Sequence, residues 1–409
     1  MRKINPKDFT LAKRGTSREI NKQIALTLIG TNQPISRADL SRLMETNRAN
    51  VTFLINELLD EKLVREEGRG SEKTRGRKPT FLYLNSKKSF AIAVDVRASR
   101  TFLMLTDSLG RQLGDVMTFP TEFNSSKFAA HLKHHIGRIL EERNMNIAEC
   151  EGIGIVIPGM LDRKTGRVMR APTLGWHEVN LQTELQKEFD ETEVHLENSG
   201  KACALSQVWT TGGSSPTYND IVFVSISDGM GIGIVINGEL MRGKHNTAGE
   251  FGHVPLSIDG PPCSCGASGC WEAYVSNPAT ISRYLKRNAS AFQPKSLETA
   301  EFTINNLIER AKKGDSLALT ALHSTARYLG LGLASIVNAI DPACIYIGGE
   351  ITEAWDLIEH EVKSAIKERT LTKENGETPL RIVPAIEYPR LRGAVALIIA
   401  PAFAAPKVA

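Results

Sequence analysis

Between residues 263 and 270 the chain reads Cys263-Ser264-Cys265-Gly266-Ala267-Ser268-Gly269-Cys270, and this segment constrains the fold more than any other. Three thiols on so short a stretch act together only if the backbone doubles back and brings the sulfurs into one place. Gly266 and Gly269 permit that, because glycine enters left-handed turn conformations that a side chain resists. One imidazole then completes the ligand set of a closed, four-coordinate structural zinc site. His253 is the expected fourth ligand, across a loop holding Pro255, Pro261 and Pro262, and His245 is the alternative. The competing use of the thiols, a disulfide between Cys265 and Cys270, is disfavoured in a reducing compartment. With no protein-supplied position left open, the zinc is expected to support a loop rather than to hydrolyse a substrate. Cys150, Cys203 and Cys344 stand in apolar surroundings and read as buried thiols.

A chain of 409 residues is long enough for two or three packed units. Its charge is unevenly divided: residues 1–88 hold 19 Lys and Arg against 10 Asp and Glu, while the whole chain carries only +4. A basic leading unit on a mildly acidic body points to a polyanion partner for the first and a different ligand for the second. No run of about 18 uncharged apolar residues offers a membrane span, and the N-terminus lacks a signal-peptide core. The cytoplasm is the expected compartment.

The basic unit, residues 1–85, has the pattern of a winged helix-turn-helix. Ile20, Ile24 and Leu28 recur every four residues and predict a first helix over 18–29. After Pro34, Ser36 and Asp39 form a cap signature for a short second helix that buries Leu40 and Leu43. Val51, Leu54, Ile55, Leu58 and Leu59 mark the buried face of a third helix. Its opposite side presents Arg48, Asn50 and Thr52 in the first turns, where a recognition helix meets base edges in the major groove. Arginine pairs there with guanine and asparagine with adenine. Residues 65–84 read as a hairpin wing with a basic tip. Arg77 is suited to a minor groove, and Arg69, Lys73, Arg75 and Lys78 to phosphates. Each part alone reads as a helical hairpin or a solvated linker; in this order they make one DNA-binding architecture.

The body reads as two α/β lobes. Apolar runs at 91–96, 101–105, 115–119 and 152–157 predict strands, with a helix over 126–142. The theme returns with runs at 221–225 and 231–236, the hairpin dipeptide Asn237-Gly238, helices over 317–340 and 355–369, and a strand at 344–347. The first lobe spans 86–198, completed by a C-terminal helix over 391–409, and the second spans 199–390 with the zinc site. A cleft between two such lobes suits a small ligand.

Four segments together resemble the ROK family of repressors and sugar kinases across essentially the whole chain: Ala248-Gly249-Glu250-Phe251-Gly252-His253, the 263–272 block, Asn338-Ala339-Ile340-Asp341-Pro342 leading to Gly348-Gly349, and Glu197-Asn198. The resemblance implies an actin-like, ribonuclease-H-like fold of the sugar-kinase type. It also implies that Asn198, Glu250, Glu272 and His253 contact sugar hydroxyls. Carboxylates and amides are suitable partners for a vicinal polyol.

Departures from the family pattern weigh against phosphoryl transfer. Where the kinases carry a catalytic Asp after the Glu-Asn pair, this chain has Ser199, which cannot take a hydroxyl proton as a carboxylate can. Their Asp-x-Gly-Gly-Thr phosphate loop is here Asp95-Val96-Arg97-Ala98-Ser99, and side chains intrude where backbone amides must wrap a phosphate. Asp228 places negative charge in the second phosphate loop. The expectation is therefore a non-enzymatic, homodimeric or larger sugar-responsive repressor of carbohydrate-utilisation genes. A sugar or sugar phosphate in the cleft shifts a two-fold pair of DNA readers through the linker at 84–89. The rivals are an ATP-dependent sugar kinase with an appended DNA-binding domain, and a protein-binding module with a vestigial cleft.

Overall fold

The structure, a computed structural model, describes residues 16–68, 80–85, 89–210, 219–286 and 302–403. The N-terminal unit runs α1 (Thr16–Asn32), β1 (Ile35–Ser36), α2 (Arg37–Leu43), α3 (Arg48–Asp60), β2 (Val64–Gly68) and β3 (Thr80–Leu84). The Ser36 hydroxyl starts α2 by accepting from the Asp39 amide at 3.1 Å and donating to the Asp39 carboxylate at 2.7 Å. Asn47 starts α3, its side-chain oxygen accepting from the Asn50 amide at 2.8 Å. Ile24, Leu28, Leu40, Val51, Ile55 and Leu58 close the core between the helices. The wing strands pair antiparallel, and β1 adds to the free edge of β3, giving the order β1-β3-β2. A strand of two residues leaves no periodic trace in a sequence, and β1 was not expected. The wing-tip residues Arg69, Lys73, Arg75, Arg77 and Lys78 lie outside the described residues.

The first half of the body contains β4 (Phe90–Val96), β5 (Arg100–Asp107), β6 (Met117–Pro120), α4 (Ser125–Glu142), β7 (Cys150–Ile157), β8 (Met160–Asp162), β9 (Arg167–Ala171), β10 (Trp176–Val179), α5 (Leu181–Glu188) and β11 (Val194–Asn198). A connecting helix, α6 (Ser199–Thr210), leads to β12 (Ile221–Ile226), β13 (Met230–Ile236), β14 (Glu239–Leu240), α7 (Glu272–Val275), α8 (Asn277–Tyr284), α9 (Ile304–Lys312) and α10 (Ser316–Ile340). Then follow β15 (Cys344–Gly348), α11 (Trp355–Arg369), α12 (Lys373–Gly376), β16 (Leu380–Val383) and α13 (Pro389–Phe403).

The large sheets have the orders β11-β7-β4-β5-β6 and β14-β13-β12-β15-β16. In each, the first three strands of the half form an antiparallel meander and the last two add in parallel beside its first strand. The same arrangement built twice is a structural duplication. Its central strands are buried along their whole length, which is why they read as unbroken apolar runs rather than alternating ones. At Asn237 and Gly238, φ of 53° and 72° makes the tight turn that the dipeptide announces. The small sheet β10-β9-β8 was not expected from sequence, because its short strands carry charged residues at Asp162, Arg167 and Arg170.

Helices α6 and α13 cross where the halves meet. A Cβ on Gly393 would fall 1.9 Å from the Ala202 carbonyl oxygen, and one on Gly233 would fall 2.3 Å from that of Gly200, so α6 is pressed between α13 and β13. On its other side α13 packs Ala394, Val395 and Ile399 against Ala91, Ala93, Met104 and Val156 of the first half. Among the described residues, no helix is long and apolar enough to cross a membrane.

Candidate functional site

The ligand atoms of His253, Cys263, Cys265 and Cys270 lie within 4.8 Å of one another. A short helical turn at Glu250–His253 brings the imidazole in, and Gly266 and Gly269, at φ of 97° and 75°, fold the cysteine loop back. His253 Nδ1 stands 3.6 Å from Cys263 Sγ, and Cys265 Sγ stands 3.6 Å from Cys270 Sγ. A tetrahedral ion about 2.3 Å from each sulfur would separate neighbouring sulfurs by roughly 3.8 Å, so the spacing fits zinc and is far too long for a disulfide. His245 is exposed and outside this group.

The cluster forms one wall of a cleft of about 210 Å³ lined from both halves by Asn198, Ser199, Glu250, His253, Glu272 and Arg170, among others. Glu272 is engaged: it accepts from the Met230 amide at 2.8 Å and from the Ser264 hydroxyl at 3.1 Å. Asn198 caps α6, accepting from the Gly200 amide at 2.9 Å, and donates to the Gly159 carbonyl at 2.7 Å. Glu250 makes no side-chain hydrogen bond or ion pair among the described residues. Burial raises its carboxyl above the ordinary value of 4.5, with nearby Lys201 pulling the other way. Lys201 is itself 1% exposed and donates to the Asn246 carbonyl at 2.8 Å. Its ammonium is lowered by burial, opposed by Glu197 and Glu250. Beneath the cleft floor Arg242 pairs with Glu197, and the Asn246 amide reaches the Leu161 carbonyl at 3.0 Å, tying the halves together.

At its other end the cleft is lined by charge. Arg97 Nε donates to Asp95 at 2.7 Å, and its guanidinium lies over the Phe102 ring at 4.4 Å. Arg390, from the first turn of α13, stands 3.8 Å from the second Asp95 oxygen and donates to the Ser227 hydroxyl at 3.1 Å. Asp228 sits beside them, its carboxyl raised by burial and then by Glu350. The side chain of Asp95 is completely buried, so the two guanidinium groups offset a charge that would otherwise be costly there.

The ROK family sequence profile matches residues 91–400. The chain belongs to the ROK family. A xylose repressor of Bacillus spizizenii is 32% identical over 358 residues, covering 86% of this chain and 88% of the relative. An N-acetylglucosamine repressor of Escherichia coli O157:H7 is 25% identical and covers 93% of this chain and 92% of its own. Among solved structures, a ROK family transcriptional regulator, a homologue of the E. coli MLC protein, superposes with a TM-score of 0.76 at 24% identity, covering 94% of this chain and 97% of that one. A ROK family glucokinase from Streptomyces griseus, solved with glucose and AMPPNP, gives a TM-score of 0.64 at 24% identity over 76% of this chain. Kinases and regulators of the family therefore share the body, and the regulator match extends into the N-terminal unit.

In this ROK chain the residues expected at base edges are less uniform than the sequence suggested. Arg48, Asn50 and Thr52 are all exposed on α3, but Thr52 donates to the Arg48 carbonyl at 2.8 Å and Asn50 to the Thr46 hydroxyl at 3.2 Å. Several site residues carry no sequence signal at all. Thr173 lines the cleft with a buried hydroxyl that has no hydrogen-bond partner among the described residues. Arg170 reaches from β9 across the cleft to the Ser264 and Cys265 carbonyls, 3.0 Å each. Arg390 and Lys201 act only through folded proximity, and only the family pattern, by the missing loop glycines, drew attention to Arg97.

Proposed function

We propose that this chain is a sugar-responsive transcriptional repressor of carbohydrate-utilisation genes, a dimer or larger assembly whose cleft takes a sugar and whose winged unit grips operator DNA. The observation that carries the reading is the set of charged side chains lining the far end of the cleft. A phosphate loop works when backbone amides face the hollow, and here the side chains of Arg97 and Arg390, ion-paired to Asp95, line it instead. Ser199 stands where a catalytic carboxylate is needed, so neither the proton acceptor nor the phosphate cradle of a kinase is supplied. The sugar end keeps open partners in Glu250 and Thr173, beside Asn198, Glu272 and His253. The names of the relatives, xylose repressor and N-acetylglucosamine repressor, point the same way.

In this reading zinc is structural: His253, Cys263, Cys265 and Cys270 hold it, and it fixes the loop that presents His253 and Glu272 to the ligand. Arg48, Asn50 and Thr52 address bases from α3, while Arg75, Arg77 and Lys78 belong to the wing. Sugar releases DNA only if it binds the DNA-free arrangement more tightly than the DNA-bound one.

The test is a mobility shift on the DNA upstream of the chain's own gene and neighbouring sugar genes, at one fixed salt concentration. It is run with xylose, glucose, N-acetylglucosamine and their phosphates. One of these should weaken the complex at least tenfold. A coupled ADP assay with the same sugars should stay at background. Turnover of ATP without DNA binding would establish the kinase reading. Bound DNA that no sugar releases, with no heat of sugar binding in calorimetry, would leave a vestigial cleft.

A further inference from the structure

On α3 the buried residues Val51, Leu54, Ile55 and Leu58 define one side of the helix. At 3.6 residues per turn the direction opposite them is occupied by Ala49, Phe53, Asn56 and, in the last turn, exposed Asp60, with Arg48 and Asn50 towards the flanks. Asn56 is already used, its oxygen accepting from both terminal nitrogens of Arg37 at 3.0 Å. In its first two turns this helix thus presents an apolar surface most directly: the exposed methyl of Ala49 and, four residues on, Phe53 at 62% exposure. Phe53 is held in place, with the Arg18 guanidinium 5.7 Å from its ring centre and Arg18 itself paired to Glu57.

The surroundings favour one occupant. Arg48, in the first turn of α3, and the helix N-terminus supply positive charge, while Arg18 beside the ring is balanced by Glu57. An apolar centre beside the positive start of a recognition helix, on its outward face, matches one chemical feature of the major groove, the C5 methyl of thymine. We propose that Phe53, with Ala49, is a specificity-determining surface that reads thymine methyl groups, so that each half-site carries thymine beneath α3. This rests on the DNA-binding reading above and names which bases that helix selects.

The test separates the methyl from every hydrogen bond. Once a bound duplex is found, each thymine is replaced singly by deoxyuridine, and affinity is measured for the full-length wild type, Phe53→Ala and Phe53→Leu at fixed salt. For the wild type, one or two positions per half-site should lose about fourfold, the value of one buried methyl. Phe53→Ala should bind the all-thymine duplex several-fold more weakly and be indifferent to deoxyuridine at those same positions, while Phe53→Leu keeps part of the dependence. Because the ring is largely exposed, both variants should keep the wild-type melting temperature. Equal deoxyuridine losses in wild type and Phe53→Ala, or no sensitive position, would overturn the proposal while leaving the repressor reading intact. A change in self-association without any change in methyl dependence would overturn it too, in favour of a protein contact. A wild type that binds no upstream duplex would remove the repressor reading itself, and this proposal with it.

Discussion

At the cysteine end of the cleft Glu250 and the buried Thr173 hydroxyl have no hydrogen-bond partner among the described residues, whereas at the far end Arg97 and Arg390 are ion-paired to Asp95, only one oxygen of which accepts a hydrogen bond. Both ends are built from ordinary polar side chains on the same duplicated frame. They differ in charge compensation: Asp95 is paired with two guanidinium groups, and Glu250 has no ion pair among the described residues. A buried polar group without a partner costs free energy until a ligand supplies one, so the Thr173 hydroxyl is prepared for a guest, while the carboxylate charge at the far end is already balanced within the protein. The same fold can thus be a kinase or a sensor without altering a strand. What changes is which side chains line each end of the hollow and how their charges are paired.

The largest effect expected is at the cysteine cluster. Cys263→Ser should reduce bound zinc from one per chain to none, as read by elemental mass spectrometry. It should cost about 4 kcal/mol, lowering Tm by roughly 10 °C in a body of this size. Sugar binding should vanish with the metal, because the loop carrying His253 and Cys263 also holds Glu272 through Ser264. A metal-free wild type that melts at the same temperature as the zinc-loaded protein would remove zinc from the account of this end.

Next in size is the far end. Arg390→Ala leaves Asp95 buried with Arg97 alone, and should destabilise the body by about 3 kcal/mol in a urea titration. Replacing Asp95 by Ala in the same chain should recover part of that loss, since the stranded charge is then gone. If the single variant is neutral, the seat is not held by ion pairs and the contrast between the two ends dissolves. Sugar affinity should hardly respond, which distinguishes this end from the other.

Glu250→Gln tests the open end more gently. It keeps the shape and removes the charge, so sugar affinity measured by calorimetry should fall by about 2 kcal/mol, roughly thirtyfold, with the fold intact. The wild type should also lose affinity as pH falls, because protonation replaces an acceptor oxygen by a donor. Burial raises this carboxyl, so the loss sets in at higher pH than for an ordinary glutamate of 4.5. The Gln variant should show no such dependence on acid; a wild-type profile equally flat would mean that Glu250 does not meet the ligand.

How much of this was legible beforehand depended on whether a feature is local. The cysteine loop was legible because its ligands are close in the chain and its glycines allow only a tight return. The strands β4, β12 and β15, and β7 from Gly152 onward, were legible because complete burial imposes near-continuous apolar runs. The small sheet β10-β9-β8 was not, since short, partly exposed strands impose no period. Nor was the partner of Asp95: Arg390 stands 3.8 Å away in space but arrives on the last helix, and no spacing rule links them. Asn198 shows a subtler limit. Family pattern marked it as a sugar contact, but its side chain also caps α6 and holds Gly159, a division of labour that only the folded geometry displays.

The smallest and most specific prediction concerns the tie between the two walls. Arg170 belongs to β9 in the first half, and both of its terminal nitrogens donate to carbonyls of the cysteine loop in the second. Carbonyls can accept from water instead, so losing these bonds in Arg170→Ala should cost only about 1 kcal/mol of stability. The bonds nevertheless cross the cleft, where the halves must move if a sugar is to be felt at the DNA. A device that couples two sites is measured by the change that one ligand makes in the affinity for the other, not by the affinity for either alone. Arg170→Ala should therefore bind operator DNA as the wild type does in the absence of sugar, and bind sugar within about fivefold of it. The sugar-induced loss of DNA affinity, however, should shrink by a similar factor, because about 1 kcal/mol of the coupling has gone. A variant whose DNA release is undiminished would show that the tie is only structural, and that the halves communicate through the crossing of α6 and α13 instead.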